Sequence, residues 1–151
     1  MDDLKFIKDY LKRYKNSLLE TDVSSHLIIM KKMLLDVRKK GKKVIIAGNG
    51  GSAAMASHVA VDFTKQGGIR TVNFNEADLI TCFANDYGYE HWVAKAIEFY
   101  GDEGDMVILI SSSGNSKNMV NAANTAKQLG LRVITFTGFK PDNSLKQKGI
   151  L

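Results

Sequence analysis

Two short apolar runs, VIIAG at residues 44–48 and MVILIS at residues 106–111, each lead through a glycine- and serine-rich loop into a helix-patterned stretch. Runs this short, flanked by turn residues and without polar alternation, read as strands covered on both faces. Such strands belong to parallel sheets, whose crossover helices lie over the sheet. Two further runs, TVNF at 71–74 and RVITFT at 132–137, alternate with helical patterns over 53–65, 76–84, 89–100 and 117–129. This βαβ rhythm predicts an α/β fold: a single doubly wound, mostly parallel sheet in a three-layer, flavodoxin-like sandwich. Leu4, Ile7, Leu11, Tyr14 and Leu18, then Leu27, Met30, Leu34 and Val37, recur at three- and four-residue steps and predict two N-terminal helices.

At 151 residues, 44% hydrophobic and 25% charged, the chain suits one domain, with helices over 1–41 and the α/β core over 42–151. The formal charge of +5 is concentrated in the first 43 residues, notably RKKGKK at 38–43. Those cations close a helix whose stop signal is Gly41 and complement the helix dipole, which argues against a nucleic-acid partner. The single cysteine, Cys82, cannot form an internal disulfide. It lies in an apolar helical stretch and is expected to be a buried small hydrophobe. No apolar run approaches the ~20 residues that cross a bilayer, and no leader pattern opens the chain, so the reading is a soluble, cytoplasmic protein without membrane contact. The aromatic stretch YGYEHW at 87–92 is expected to pack in the core. His26 and His91 are expected to be structural or exposed.

The loops carry the chemistry. GNGGSAA at 48–54 and SSSGNS at 111–116 repeat one construction at the carboxyl ends of two strands, the edge where open α/β sheets bind ligands. Free N–H groups at a helix start, glycines at Gly50 and Gly51 that admit an anion, and several hydroxyls suit a phosphate. Helix capping explains one serine per loop, Ser52 or Ser116, but not four hydroxyls in six residues. Gly48, Gly50 and Ala53 also satisfy the relaxed dinucleotide pattern, a reading that leaves the serine loop unexplained. His58 and Asp62, four residues apart, share one helical face and can share a metal or a proton.

GNGGSAAMASHVAVDFTK, FANDYGYE and SSSGNSKNMVNAANTAKQLGLRVITFTG, in this order and spacing, resemble sugar isomerase (SIS) domains, and most closely the sedoheptulose-7-phosphate (phosphoheptose) isomerases. The resemblance implies that Ser52, Ser111, Ser112, Ser113 and Ser116 hold a sugar phosphate and that Asn49, Asn85 and Asp86 contact sugar hydroxyls. A histidine and a glutamate four residues later bind zinc in these isomerases, and the glutamate is also an acid-base residue. The matching positions here are His58 and Asp62, so the expected metal ligands are His58 and Asp62 and the expected catalytic residue is Asp62. Aspartate in place of glutamate shortens the side chain by one methylene. The implied reaction is aldose-ketose isomerisation through an enediol, and the implied assembly is a homotetramer. A related branch comprises noncatalytic SIS proteins that bind a sugar phosphate or associate with a replication initiator, which is the alternative reading. The family's last strand and C-terminal helix, with a glutamine and a histidine, have no counterpart in PDNSLKQKGIL, so a truncated piece of a longer protein is expected. Without that strand, RVITFT is expected to be an uncovered sheet edge.

Overall fold

A computed structural model describes residues 2–151. Its strands β1 (Val44–Gly48), β2 (Thr71–Val72), β3 (Met106–Ser111) and β4 (Arg132–Thr137) form one parallel sheet in the order β2-β1-β3-β4. Val44 to Gly48 pair with Met106 to Ile110, and Met106 to Ser111 pair with Arg132 to Thr137. The chain winds outward in one direction from β1 and in the other from β3, so the order reverses between these two strands. Their carboxyl ends flank the crevice where such sheets bind ligands.

Among the described residues the α-helices are α1 (Asp3–Lys15), α2 (Ser24–Lys39), α3 (Gly51–Lys65), α4 (Ala77–Tyr87), α5 (Trp92–Tyr100) and α6 (Lys117–Gln128). Ile45, Ala47, Val107, Leu109 and Val133 enter one core with Trp92, Val93, Ala96 and Ile97 of α5 and Met119, Ala122, Ala123 and Ala126 of α6. The alternate strand residues Val44, Ile46, Met106, Ile108 and Ile134 are buried too. Successive strand side chains face opposite sides, so both faces of the sheet are covered and the apolar runs are continuous.

The chain divides into two units at Lys31/Lys32. In the first, α1 is capped by the Asp2 side chain and buries no residue. Its apolar stripe, Leu4, Ile7, Leu11 and Tyr14, is more than half exposed throughout. In the second, Leu34 and Val37 of α2 are buried, and the helix closes where Gly41 N–H donates to Arg38 O and Lys42 N–H to Val37 O.

Below β1 and β3, at their amino ends, the buried Asp105 carboxylate collects three donors. It accepts from Lys43 N–H and Asp102 N–H, each at 2.9 Å, and from Lys43 Nζ at 2.5 Å. Lys43 also reaches Asp102 Oδ2 at 2.6 Å.

Several expectations are corrected. Only Thr71 and Val72 of TVNF form strand, because Asn75 N–H turns back to Asn73 Oδ1 and the Asn75 amide bonds Ala53 O and Ser57 Oγ on α3, drawing the chain off the sheet. The fourth helix continues to Tyr87, so Asn85 and Asp86 lie in its last turn and not in a following loop. Cys82 is exposed, not buried. Leu79, Ile80, Phe83 and Ala84 form the stripe of α4 packed on the core, and Cys82 falls off that stripe. In YGYEHW only Trp92 is core, while Tyr87 and Tyr89 are 40% and 55% exposed. The outer edge of β4 is not bare: Ile150 N–H donates to Val133 O and Thr135 N–H to Leu151 O. Among the described residues no helix is long and apolar enough to cross a membrane.

Candidate functional site

β1 must turn directly into α3, and Gly48 permits it: a Cβ there would lie 2.7 Å from the Ser52 backbone. Gly50 then sits at the helix start, with Gly51 and Ser52 opening the first turn. The parallel construction after β3 is more heavily bonded. Ser111 Oγ donates to Ser116 Oγ at 3.2 Å and accepts from Gly114 N–H at 3.2 Å, while Ser113 Oγ accepts from Asn115 N–H at 3.2 Å. Ser116 has N-cap backbone geometry, yet its hydroxyl makes no capping bond. Met119 N–H is taken by Ser116 O and Asn118 Oδ1, which leaves the N–H groups of Lys117 and Asn118 at the helix start, and the macrodipole adds positive potential. A phosphate-sized anion is suited to that position.

The serine loop is supported from behind by the segment after β4. Buried Asn143 donates to Thr137 Oγ1 at 3.0 Å and Lys140 O at 2.8 Å, and accepts from Lys146 N–H at 2.9 Å. Leu145 N–H donates to Gly114 O at 2.8 Å, and Ser144 N–H to Asn115 Oδ1 at 3.1 Å. Gly114 has φ +64°, and a Cβ on it would overlap the Asn143 amide. Gly114→Ala is therefore expected to destabilise the fold by about 2–4 kcal/mol, from left-handed strain and overpacking together. Denaturant unfolding checks this; a loss below about 0.5 kcal/mol would show that the loop rearranges freely.

The glycine loop meets the start of α6 directly. Asn49 Nδ2 donates to Asn118 Oδ1 at 3.0 Å, and Asn118 Nδ2 donates to Asn49 Oδ1 at 2.8 Å. Tyr89 Oη donates to the same Asn49 oxygen at 3.3 Å. The glycine loop and the start of α6, which follows the serine loop, are thus joined at the carboxyl edge of the sheet, and Tyr89 brings the stretch after α4 to it.

The remaining expected site residues lie as follows. Asn85 and Asp86 are exposed, with Asn85 Nδ2 donating to Asp86 Oδ1 at 2.9 Å, and no hydrogen bond joins them to either loop. His58 Nε2 and Asp62 Oδ2 are 3.5 Å apart on α3, with side chains 80% and 53% exposed. Among the described residues no cluster of three or more His, Cys, Asp or Glu side chains forms a metal site. His58 and Asp62 therefore offer two donors of types that zinc accepts, where a protein zinc site commonly takes three or four. His26 and His91 are exposed, and His91 Nδ1 lies 3.5 Å from the Asn121 amide.

Asn118, Tyr89 and Asn143 were not found from sequence. Asn118 had a signal: it shares the buried stripe of α6 with Met119, Ala122, Ala123 and Ala126, and a buried amide requires a polar partner. An open groove of about 650 Å³ lies elsewhere, lined by Val72, Phe74, Leu79, Phe83 and Tyr100 among others, and includes neither loop.

The SIS domain family profile matches residues 8–138. The chain is 43% identical over 110 residues to the phosphoheptose isomerase of Fusobacterium nucleatum, covering 70% of this chain and 57% of that protein. It is 38% identical over 126 residues to the phosphoheptose isomerase of Enterobacter sp., covering 80% and 66%. The chain thus spans between about half and two thirds of the length of these curated relatives. The solved structure of a phosphoheptose isomerase from Francisella tularensis matches with a TM-score of 0.89 at 26% identity, covering 99% of this chain and 81% of that one. A family match over most of the length, on a parallel sheet whose glycine and serine loops converge at the switch point, establishes that the chain belongs to the SIS domain family.

Proposed function

We propose that this protein is an aldose-ketose isomerase of a phosphorylated sugar, sedoheptulose 7-phosphate, which it converts to D-glycero-D-manno-heptose 7-phosphate. The observation that carries the proposal is the junction of the glycine loop and the serine loop through Asn49 and Asn118 at the carboxyl edge of the sheet. The relatives named phosphoheptose isomerase at 43% and 38% identity support the choice of substrate.

In this reading the hydroxyls of Ser52, Ser111, Ser112, Ser113 and Ser116 and the first-turn N–H groups of α6 hold the phosphate, with Gly50 and Gly51 admitting the substrate close to the main chain. Asn49, Asn85 and Asp86 bind sugar hydroxyls. Asp62 removes the proton from the carbon beside the ketose carbonyl of the open-chain sugar. The enediol so formed takes a proton at the neighbouring carbon while the hydroxyl proton moves between the two oxygens, so no redox co-reactant is consumed. His58 and Asp62 would hold zinc together with donors beyond this pair, and zinc bound there would polarise the sugar's oxygens. A carboxylate bound to metal is a weaker base, so the two roles of Asp62 compete. The exposed stripe of α1 supports assembly as a homotetramer, and the composition supports a cytoplasmic enzyme.

The test is conversion of sedoheptulose 7-phosphate by the purified protein with and without added zinc, followed by proton NMR of the product anomers. Turnover supports the isomerase. Binding of the sugar phosphate in a calorimetric titration without turnover would replace it by the noncatalytic SIS reading, which the shorter Asp62 side chain favours.

A further inference from the structure

We propose that Asn118 is a positioning residue, which sets the orientation of the glycine loop against the serine loop by holding the Asn49 side chain from both of its amide ends. The proposal rests on the reading of this edge as the sugar-phosphate site.

Asn118 lies in the first turn of α6, with 2% of its surface exposed, while Asn49 follows the last residue of β1. The two amides face each other reciprocally, each donating one N–H and accepting one, at 3.0 and 2.8 Å. An amide pair bonded at both ends resists rotation of either side chain, unlike a single hydrogen bond about which each group pivots. Tyr89 Oη donates to the Asn49 oxygen as well, so that oxygen accepts two bonds and its amide is held in one orientation. Asn49 is therefore the point at which the glycine loop, the start of α6 and the stretch following α4 join. Beyond the ladder of β1 and β3, no backbone hydrogen bond among the described residues links positions 49–54 to positions 112–118. The side-chain pair provides the polar link between them.

This arrangement has a chemical consequence. One N–H of Asn49 is committed to Asn118, so the other remains for a ligand, and its direction is set by the pair. The Asn49 backbone carbonyl closes the main-chain turn between Gly48 and Ser52 by accepting from Ser52 N–H at 3.0 Å, so Asn49 ties that turn to its own anchored side chain. A shift of Asn49 would move the hydroxyl of Ser52 relative to those on the serine loop. Displacements of about 1 Å at a reacting centre reduce rate by about 100-fold.

The experiment is a double-mutant cycle with Asn118→Ala, Asn49→Ala and the double variant, read in two ways. Affinity for sedoheptulose 7-phosphate and for inorganic phosphate is measured by calorimetry, and amide hydrogen exchange is followed without ligand. Asn118→Ala is expected to weaken sugar-phosphate binding by about 10-fold and to do so only where Asn49 is present, since contacting residues are non-additive. It is expected to raise exchange across Gly48–Ser52 while Trp92–Tyr100 stays protected. Where turnover is measurable, kcat is expected to fall more than KM rises.

Equal losses from Asn118→Ala with and without Asn49, or unchanged exchange at Gly48–Ser52, would overturn the positioning role and leave Asn118 a buried structural amide. If the protein neither converts nor binds the sugar phosphate, the functional reading fails. Hydrogen exchange in the three variants still decides the latch in that case.

Discussion

Asp62→Asn is expected to lower kcat for sedoheptulose 7-phosphate by about 10²–10⁴-fold while leaving stability unchanged. Loss of a general base costs that much because water and the remaining side chains remove the carbon-bound proton poorly. Asparagine keeps the size and polarity of the side chain and removes only its ability to take a proton. The placement of Asp62 makes the result interpretable: it lies on α3 with its side chain 53% exposed and its Oδ2 3.5 Å from His58 Nε2. A surface substitution of this kind moves the melting temperature little. Stopped turnover with unchanged melting and retained phosphate affinity would place Asp62 in the chemistry. Turnover within about threefold of the parent would remove it from the mechanism. Asp62→Glu gives a second reading, since an extra methylene restores the carboxylate position implied by the family resemblance, and a rise in rate would show that reach limits the native residue.

The largest effect on stability is expected at the opposite edge of the sheet. Asp105→Ala should cost about 3–5 kcal/mol, because removing one partner of a buried pair leaves the other uncompensated. Asp105 is 1% exposed, and the side chain of Lys43 only 16%. The loss would strand Lys43 N–H and Asp102 N–H and leave the ammonium with the exposed Asp102 carboxylate alone, since all three donate to Asp105. Differential scanning calorimetry should show a melting temperature lower by on the order of 10–20 °C. A change of under about 2 °C would mean that water replaces the carboxylate at no cost.

The same cluster sets a pH dependence. Burial draws the Lys43 ammonium down, but its hydrogen bonds to Asp102 and Asp105 outweigh burial and hold it above its ordinary 10.5. Its contribution is complete below 10.5 and lost as pH rises through the higher folded value. The hydrogen bond from Lys43 holds the Asp102 carboxyl below its ordinary 3.8, so its contribution is present above 3.8 and lost as pH falls through the lower folded value. Asp102 is exposed, so solvent screening keeps its share small. The contribution of this cluster is expected to be level between these limits, and Lys43→Met is expected to remove that contribution at both ends.

Much of the site was legible because its signals are local. A glycine at the end of an apolar run, a loop dense in serine and a helix start follow one another within about ten residues, and such a sequence pattern is suited to an anion. The His58 and Asp62 pair was equally legible, since four-residue spacing on a helix brings two side chains together whatever the fold. Other features were not. Cys82 occupies a stretch as apolar as its neighbours, and only the phase of α4 against the core placed it outside. TVNF is a good strand by propensity, but the Asn75 side chain found partners on α3 that a local pattern cannot contain.

The sequence by itself determined the parallel α/β class, the order of strands and helices, the two ligand-type loops and the membership of His58 and Asp62 in one helical face. These follow from short continuous apolar runs, from the 3.6-residue periodicity of the helices and from the conformational demands of glycine and serine. The tertiary structure alone decided that β1 and β3 lie side by side, that Asn118 and Tyr89 converge on Asn49, and that Asn143 stands behind Gly114. Asn49 and Asn118 are 69 positions apart. Hydrogen bonds of that kind carry no local periodicity, and which partners meet depends on the sheet order that brings their strands together.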